Sequence, residues 1–362
     1  MDPLTHTLVG TSLAATRLGT TTRYATVALV VGANLPDVDV LSYAGGGDAA
    51  LGFRRGWTHG LLALTVLPAL LAAALVLWGR WRAGSSTAPR PSTGWLVALS
   101  YLAVSTHPAL DWLNTYGMRW GMPFDGTWYY GDSVFIVDPW LWLLLGGGWL
   151  LGRRPNLWLT AAWALVALPL LFLLVRSSPQ HALPVGVVLA LLLLALWWKI
   201  ESARARRLAA GWGLATAAAF VLAMLTVHAL TEDAVRRRLD SEAAEPIDEL
   251  MVGPIPADPL RWEFVVERAG RLRHGTLSWL EGGQLRYSGF DRPVARAHPR
   301  WEEIRRRPEI AGFLDWGRFP WIAASTPSAG SRTDRFVVLD ARYQRVATVG
   351  FGAVVIEIDA SP

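Results

Sequence analysis

Apolar stretches separated by short polar turns recur along the first 230 residues of the chain. About 20 apolar residues cross the hydrocarbon core of a bilayer, and about 17 is near the lower limit. The first two stretches are short and Thr-rich, which favours a hairpin inside the bundle. The pattern predicts an all-α polytopic membrane helix bundle of about six to eight spans. The stretches lie at residues 4–18, 24–35, 60–78, 94–113, 137–151, 157–175, 183–198 and 211–230.

The pattern changes after residue 230. Residues 231–257 are charged and helix-compatible, and they end in the linker Pro254-Ile255-Pro256. From residue 258 onward, polar and apolar residues alternate as they do in half-buried strands. The sequence therefore predicts three parts: a transmembrane helical domain over residues 1–230, a charged helix and linker over 231–257, and a soluble α+β domain over 258–362.

Composition agrees with a membrane protein. Of the 362 residues 52% are hydrophobic and only 17% are charged, whereas soluble domains carry about 25% charged residues. The absence of Cys excludes disulfides, thiolate metal sites, iron–sulfur clusters and cysteine nucleophiles. Any bound metal must therefore be held by His and carboxylate groups.

The distribution of charge argues against a nucleic-acid partner, although the pI is near 9.9. The positive excess lies in the hydrophobic part, with 15 Lys and Arg against 9 Asp and Glu before residue 231. Such an excess is typical of the flanks of membrane helices. The expected partner is the lipid bilayer, and no direct contact with nucleic acid is expected.

The same charges predict the orientation in the membrane. One set of alternate turns holds eleven Lys and Arg and the opposite set holds four, so the first set is expected in the cytoplasm. Eight of the nine acids lie on the sparse side, which places the acidic motifs and the C-terminal domain outside the cytoplasm. The eight acids are Asp2, Asp37, Asp39, Asp48, Asp111, Asp125, Asp132 and Asp138.

Four short motifs on the acidic side carry groups that can bind a metal. His107 and Asp111 are one helical turn apart, so an imidazole and a carboxylate can chelate one cation. Asp37 and Asp39 can direct one carboxylate to a metal and the other to a water. Because a catalytic zinc site uses three protein ligands and a water, the sequence predicts a divalent metal site. The candidate ligands are His6, Asp37, Asp39, His59, His107 and Asp111.

Each motif alone has an ordinary structural interpretation. A His-x-x-x-Asp pair is more often a structural hydrogen bond, and a Pro-Asp-x-Asp turn is usually a helix cap. Their joint occurrence favours the metal site, because three of only seven histidines fall beside the acids on one predicted face. The other four, which have no acidic constellation near them in the sequence, are interpreted as loop or surface histidines: His181, His228, His274 and His298.

The motifs resemble a known family. The residues that carry the resemblance are Met-Asp-x-x-Thr-His6, Pro-Asp37-x-Asp39, Arg-Gly-x-Thr-His59 and His107-x-x-x-Asp111, followed by Asn-Thr-Tyr-Gly. They are similar to the motifs of the YdjM-type bacterial inner-membrane metal-dependent hydrolases, described as LexA-regulated or LexA-binding. That family is distantly similar to the zinc-dependent phospholipase C and S1/P1 nuclease superfamily. The resemblance implies a multi-pass inner-membrane protein that binds divalent metal, expected to be zinc, through ligands in the same order.

The chain departs from the family at two positions of the third motif. Arg54 stands where the family commonly has His, and Gly60 stands where it has Ser. If that His is a ligand in the family, the departure puts one metal of a multi-metal cluster in question. Arg54 and Arg55 are predicted instead to bind a substrate phosphate.

The favoured function is an integral membrane hydrolase that acts on a phosphoester or lipid-linked substrate through a metal-activated water. The resemblance implies an aspartate that contacts the metal and orients the water, with Asp39 favoured as the base and Asp37 as the ligand. A transporter would need charged or broken helices near the midplane, and the later stretches are plainly apolar. A non-catalytic scaffold or regulatory protein with a structural metal site is the other alternative.

Overall fold

The structure is a computed structural model that describes residues 1–83, 90–154, 156, 158–159, 161, 165, 182–324 and 333–359. The chain forms two compact units. The first comprises Met1–Val38, Arg55–Thr226 and Ile255–Pro259, and the second comprises Asp39–Arg54, Val227–Pro254 and Leu260–Pro362. The domain boundaries at residues 230 and 257, which were inferred from the sequence, stay predictions.

Helices dominate the described residues before position 243, and two short helices follow in the C-terminal part. The first set is α1 (Pro3–Ala15), α2 (Ala25–Gly32), α3 (Gly47–Phe53), α4 (Leu61–Ala83), α5 (Thr93–Trp112), α6 (Pro139–Leu151), α7 (Ala182–Lys199) and α8 (Ala203–Glu242), and the two short helices are α9 (Trp301–Ile304) and α10 (Ala311–Trp316). Helices α1 and α6 begin alike, with an Asp cap followed by Pro at the first helical position. The Asp138 carboxylate accepts from the amides of Trp140 and Leu141 at 2.9 and 3.0 Å, which satisfies amides that lack helical partners.

Small residues bring the helices of the first unit close together. A Cβ on Gly10 of α1 would lie 2.7 Å from the carbonyl oxygen of Leu29 in α2, so these two helices pack backbone to backbone. Helix α2 packs in turn on α5 through the buried side chains of Ala28, Leu29 and Ala103. This packing holds the C-terminal end of α5 beside the segment that follows α2.

The structure does not support six to eight spans. Within the described residues, Leu61–Arg82 and Ala203–Glu242 are long and apolar enough to cross a membrane, with a third span if Ala25–Gly32 and Leu35–Gly45, bent by 41°, count as one. Helices α1 and α6 have 13 residues each, about 20 Å in length, against a hydrocarbon core of about 30 Å. Most of the stretch at 157–175 lies outside the described residues.

The predicted C-terminal β-sheet domain is confirmed. It contains a four-stranded sheet in the order β1-β2-β3-β4 and a three-stranded sheet in the order β5-β6-β7. The apolar core of the unit includes Val265, Phe290, Trp321 and Leu339. The strands are β1 (Glu249–Ile255), β2 (Asp258–Arg268), β3 (Arg271–Ser278), β4 (Leu285–Pro293), β5 (Pro320–Ala324), β6 (Thr333–Asp340) and β7 (Ala353–Asp359).

An early segment of the chain folds with this C-terminal domain. The carboxylate of Asp48 in α3 accepts from the amides of Gly312 and Phe313 at the start of α10, at 2.9 and 2.7 Å. A Cβ on Gly312 would lie 2.0 Å from the carbonyl oxygen of Asp48, so the two backbones are in direct contact. Residues 39–54, which separate two of the metal-site motifs, therefore belong to the second unit.

A buried ion pair in the second unit gives a test of its stability. Asp340 accepts from the amide and the guanidinium of Arg342 at 2.9 and 3.0 Å, and both side chains are fully buried. We expect Asp340→Ala to lower the free energy of unfolding by about 3–5 kcal/mol, because a buried guanidinium loses its counter-charge. Denaturant unfolding of the detergent-solubilised chain, followed by Trp fluorescence, measures this change.

The matched control is Asp291→Ala. Its ion pair with Arg271 is exposed at both ends, so we expect a loss within about 1 kcal/mol. Equal losses in the two variants would contradict a stabilising role for the buried pair.

Candidate metal centre

Four side chains from three segments of the first unit converge on one point. Asp37 lies in the 3-10 segment Leu35–Gly45, His59 lies two residues before α4, and His107 and Asp111 lie one turn apart on α5. Each offers one ligand atom, and the four atoms lie within 4.8 Å of one another. Asp37 is partly exposed, whereas the other three are buried.

The separations between these atoms suit a tetrahedral ion. His59 Nε2 lies 3.1 Å from His107 Nε2 and 3.2 Å from Asp111 Oδ2. His107 Nε2 lies 3.6 Å from Asp111 Oδ2 and 3.7 Å from Asp37 Oδ1. Tetrahedral bonds of about 2.0–2.1 Å place neighbouring ligand atoms about 3.3 Å apart. These four separations are therefore compatible with a divalent ion held by two nitrogens and two oxygens.

Hydrogen bonds at the far side of each imidazole fix how the rings face the group. His107 Nδ1 lies 2.7 Å from the carbonyl oxygen of Ala33. Since a carbonyl only accepts, Nδ1 carries the proton and Nε2 presents its lone pair to the other ligands. His59 Nδ1 lies 2.9 Å from the Thr58 hydroxyl. Such outer partners are typical of metal-binding histidines.

Arg55 lies against the metal group and is bound to one of its members. Its Nη2 donates to Asp111 Oδ1 at 3.1 Å, its Nε lies 3.0 Å from Asp111 Oδ2, and its Nη1 donates to Asn114 at 2.9 Å. The guanidinium also lies over the Tyr116 ring. A forked contact of this kind orients a carboxylate. The predicted role of Arg55 in binding substrate phosphate stays a prediction.

The backbone at Arg55 is strained. Its φ is +52°, in a region that non-glycine residues rarely occupy and that costs about 1–3 kcal/mol. The adjacent Gly56 fits because a Cβ there would lie 2.7 Å from the Arg119 guanidinium. The chain therefore makes a tight turn to bring the arginine to Asp111.

Arg54 and Asp39, the other predicted substrate and base residues, bind each other. Arg54 Nε donates to Asp39 Oδ1 at 3.2 Å, and the Asp39 carboxylate is buried. Both residues belong to the second unit, and Asp39 is not among the four grouped ligands. Their predicted roles in substrate binding and base catalysis stay predictions.

His6 lies beside the group but is not one of its four members. Its ring stacks on His107 with centroids 3.6 Å apart, and its Nε2 lies 3.2 Å from Asp111 Oδ1. The Met1 amino group also contacts Asp111 Oδ1. Burial, followed by the charge of His107, lowers the pKa of His6, which lies outside both candidate spans. The neutral imidazole that can bind a metal is therefore favoured.

Sequence reasoning missed three residues that contact the centre. The backbone carbonyl of Ala33 cannot be recognised from a side-chain pattern. Asn114 and Tyr116 stand in the Asn-Thr-Tyr-Gly element that supported the family resemblance, but no role followed from it. In the structure, Asn114 and Tyr116 complete the contacts of Arg55.

The remaining histidines lie elsewhere. The interpretation of His274 as a loop or surface residue is wrong, because it is buried on β3 and its Nε2 lies 3.2 Å from Glu263. His228 lies on α8, and His298 follows β4. His181 lies outside the described residues.

The family described as YdjM inner membrane protein matches residues 1–180, a range that contains all four grouped ligands together with His6 and Arg55. No curated protein and no solved structure matches the chain.

The geometry generates a test of metal binding. We expect His107→Ala and Asp111→Asn to lose most of the bound divalent metal. Each removes or weakens a side chain that binds the metal directly, and the affinity for the metal then falls steeply. Elemental analysis of detergent-purified protein gives the metal content, and thermal unfolding shows whether each variant remains folded.

The control is His228→Ala on α8, whose Nε2 lies 4.0 Å from Glu232. It should keep the metal content of the parent. Full metal content in both ligand variants would show that the ion lies elsewhere, and an equal loss in the control would show that the loss follows from misfolding.

Proposed function

The chain belongs, through residues 1–180, to the YdjM inner membrane protein family, and on this premise we propose that it is a membrane-bound, metal-dependent hydrolase. The observation that carries the proposal is the group formed by Asp37, His59, His107 and Asp111, in which three members are buried and one reaches solvent. Burying such a group without a ligand is costly, and clusters of this kind at a membrane edge are typical of functional sites.

Zinc is the metal that the donor set supports best. Two imidazole nitrogens and two carboxylate oxygens suit zinc, and a chain without Cys offers no thiolate alternative. When bound, a zinc ion lowers the pKa of a water toward about 7 and polarises the oxygen of an electrophile.

The protein's own residues supply proton transfer and orientation. Asp37, with 19% of its side chain exposed, is the member of the group that solvent reaches, and we assign it the role of a metal ligand. Asp39, two residues on and nearer the loop, is the carboxylate that we predict to accept a proton from the attacking water. In the reaction, the water oxygen bonds to phosphorus, the phosphorus–oxygen ester bond breaks, and the departing alkoxide takes up the proton.

The position of the group supports a phosphoester at the membrane surface as the substrate. His59 lies two residues before the candidate span Leu61–Arg82, so the group lies at a membrane edge. Exposed apolar side chains surround this end of α4, with Trp57 49%, Leu61 56% and Phe124 81% exposed. Apolar residues at a span end are typical of an interface with lipid. A lipid-linked phosphoester would reach the group without leaving the membrane.

One observation favours the alternative of a structural metal in a scaffold protein. Four protein ligands fill a tetrahedral shell, and closed shells are typical of structural zinc sites. Metal-dependent turnover by the purified chain separates the two functions, because a scaffold would hold the metal without cleaving any ester.

Charge supports an orientation with the metal group outside the cytoplasm. Arg80 and Arg82 lie in the last turn of α4, at the opposite end from His59. Since Lys and Arg favour the cytoplasmic end of a span, the end of α4 with the metal group is the outer one.

Aspartate substitutions test the catalytic roles. We expect Asp39→Asn to keep its metal and to cleave bis(p-nitrophenyl) phosphate about 10²–10⁴-fold more slowly, because loss of a general base has that effect. Asp37→Asn should instead lose activity that excess zinc partly restores, since it weakens a ligand. Initial rates over a zinc titration distinguish these outcomes.

Asp291→Asn, at an exposed pair on β4, serves as the control and should match the parent. If Asp39→Asn also matches the parent, Asp39 is not the base. If the metal-loaded parent cleaves no ester in a broad panel, the scaffold function replaces the hydrolase.

Cysteine labelling tests the orientation on a chain that has no other Cys. Trp81 is 71% exposed near one end of α4, and Phe124 is 81% exposed beside the other. In intact cells, a membrane-impermeant maleimide should label Phe124→Cys, whereas Trp81→Cys should react only after permeabilisation. The reverse pattern would invert the proposed orientation.

A further inference from the structure

Three polar side chains on neighbouring strands of the second unit form a hydrogen-bonded chain. Ser288 Oγ on β4 lies 2.8 Å from Nδ1 of His274 on β3, and Nε2 of His274 lies 3.2 Å from Oε2 of Glu263 on β2. All three residues belong to the second unit, and they are separate from the four grouped metal ligands. A hydroxyl, an imidazole and a carboxylate in this order are the groups that activate a serine nucleophile.

The pairing of β2 with β3 places the imidazole and the carboxylate on one face of the sheet. His274 stands directly opposite Val265, and Glu263 lies two residues further along β2. Residues that stand opposite each other, and their neighbours two positions away, share a face. Val265 belongs to the apolar core of the unit, so a buried imidazole beside it costs free energy that an apolar side chain would not. Such a departure from the apolar pattern is typical of functional sites.

An irregularity in β4 brings the serine to the same point. His274 is the single residue of β3 between two paired positions, whose partners on β4, Tyr287 and Asp291, are four residues apart. The extra residues of β4 form a bulge, a feature that re-aims side chains and is frequent next to active sites. Gly289 permits it with a φ of +78°, and a Cβ there would meet no atom within 4 Å. The space beside Ser288 is therefore open to a ligand.

The hydrogen bonds define the tautomer of His274. Arg345 Nη1 donates to Glu263 Oε2 at 3.0 Å, and the same oxygen lies next to His274 Nε2. Because a carboxylate oxygen only accepts, Nε2 carries the proton and Nδ1 presents its lone pair to the Ser288 hydroxyl. An imidazole held in this way can take the serine proton. The two ring nitrogens exchange the roles they have in chymotrypsin-like triads, and either nitrogen can accept a proton.

Exposure differs along the chain of three groups in the way a nucleophile needs. Ser288 is exposed, Glu263 is partly exposed and His274 is buried, so a substrate reaches the hydroxyl while the imidazole is held beneath it. The other contacts of Ser288 Oγ are the carbonyl oxygen of His274 at 3.2 Å and the amide of Phe290 at 3.4 Å. That amide is a donor beside the attacking oxygen, where an oxyanion would develop.

We propose that Ser288 and His274 are the catalytic residues of a second hydrolytic site, which cleaves carboxylic esters without a metal, and that Glu263 positions the imidazole. Ser288 Oγ bonds to the carbonyl carbon of the ester, and its proton passes to Nδ1 of His274. The bond between that carbon and the alcohol oxygen then breaks, and His274 gives the proton to the departing alkoxide. Water next bonds to the carbonyl carbon of the acyl-serine, its proton passes through His274 to Ser288 Oγ, and the carboxylic acid leaves.

The test treats the detergent-purified full chain with a fluorophosphonate, a probe whose phosphorus bonds to an activated serine oxygen as fluoride leaves. Peptide mass spectrometry locates the label, and we expect it on Ser288. Ser288→Ala should remove the label, and His274→Gln should slow its incorporation about 10²–10⁴-fold, because a general base is lost. Ser241 is the internal reference: it is exposed, but its hydroxyl donates to the carbonyl oxygen of Arg238 at 2.7 Å, so it should stay unlabelled.

The matched control is Ser241→Ala, which removes an exposed hydroxyl outside the proposed site and should label as the parent does. Thermal unfolding verifies the fold of each variant. If the buried change His274→Gln unfolds the protein, Ser288→Ala at its exposed position still decides the outcome. A folded parent in which Ser288 remains unlabelled, or is labelled no faster than Ser241, would overturn the proposal and leave the three groups a structural network.

The role of Glu263 has its own test. Glu263→Gln keeps the size of the side chain but removes the charge that holds the imidazole. We expect it to lower kcat for p-nitrophenyl acetate about 10²–10⁴-fold while KM changes less than about twofold, because only the step that moves the proton is affected. A kcat equal to that of the parent would overturn the positioning role.

A chelator separates this site from the proposed metal-dependent hydrolase. After metal is removed with EDTA, labelling of Ser288 and cleavage of p-nitrophenyl acetate should continue at the rate of the untreated parent. If the parent labels at Ser288 but cleaves no phosphoester with its metal bound, the metal-dependent hydrolase fails and the serine site stands. If EDTA abolishes cleavage of the acetate ester, that activity belongs to the metal group and the serine site is overturned.

Discussion

The buried carboxylate of Asp111 is the interaction on which the first unit depends. It lies within 3.6 Å of nitrogens from His6, His59, His107 and Arg55. A carboxylate removed from water costs several kcal/mol unless charge and hydrogen bonds compensate for it. The guanidinium of Arg55 and the amino group of Met1 supply positive charge beside it, and a divalent ion among the imidazoles would add to that charge. The same contacts bring α1, the Arg55 turn and α5 to one point.

The sequence predicted the chemistry of the centre better than its architecture. The spacing of His107 and Asp111 on a helix, together with the order of the motifs, was enough to name every member of the group. Asp39 and Arg54 lie in the segment Asp39–Arg54 of the second unit, and their predicted roles stay predictions. No local pattern reveals that α3 will pack on α10, because that contact joins residues more than 250 positions apart.

The span count failed for a different physical reason. Hydropathy cannot distinguish a helix that faces lipid from a short apolar helix that other helices bury. Helix α6 is highly apolar, yet most of its residues are buried in the protein, and α1 likewise contributes Leu8 and Val9 to the interior. The length of a helix shows whether it can cross a membrane where its composition does not. The lengths of these helices depend on caps such as Asp138. The strand alternation after residue 258 was more reliable, since its period of two has no helical counterpart.

A closed set of four ligands and a catalytic role can be reconciled through Asp37. Catalysis needs a position on the metal that water or substrate can take. Asp37 is the partly exposed member, and its Oδ1 lies 3.7 Å from His107 Nε2, farther than His59 Nε2 does. It also lies at the point where the chain passes into the second unit, on a 3-10 segment rather than inside a regular helix. The rigid part of the site is thus formed by α5 and the His59 turn, and we expect Asp37 to be the ligand that yields when substrate binds.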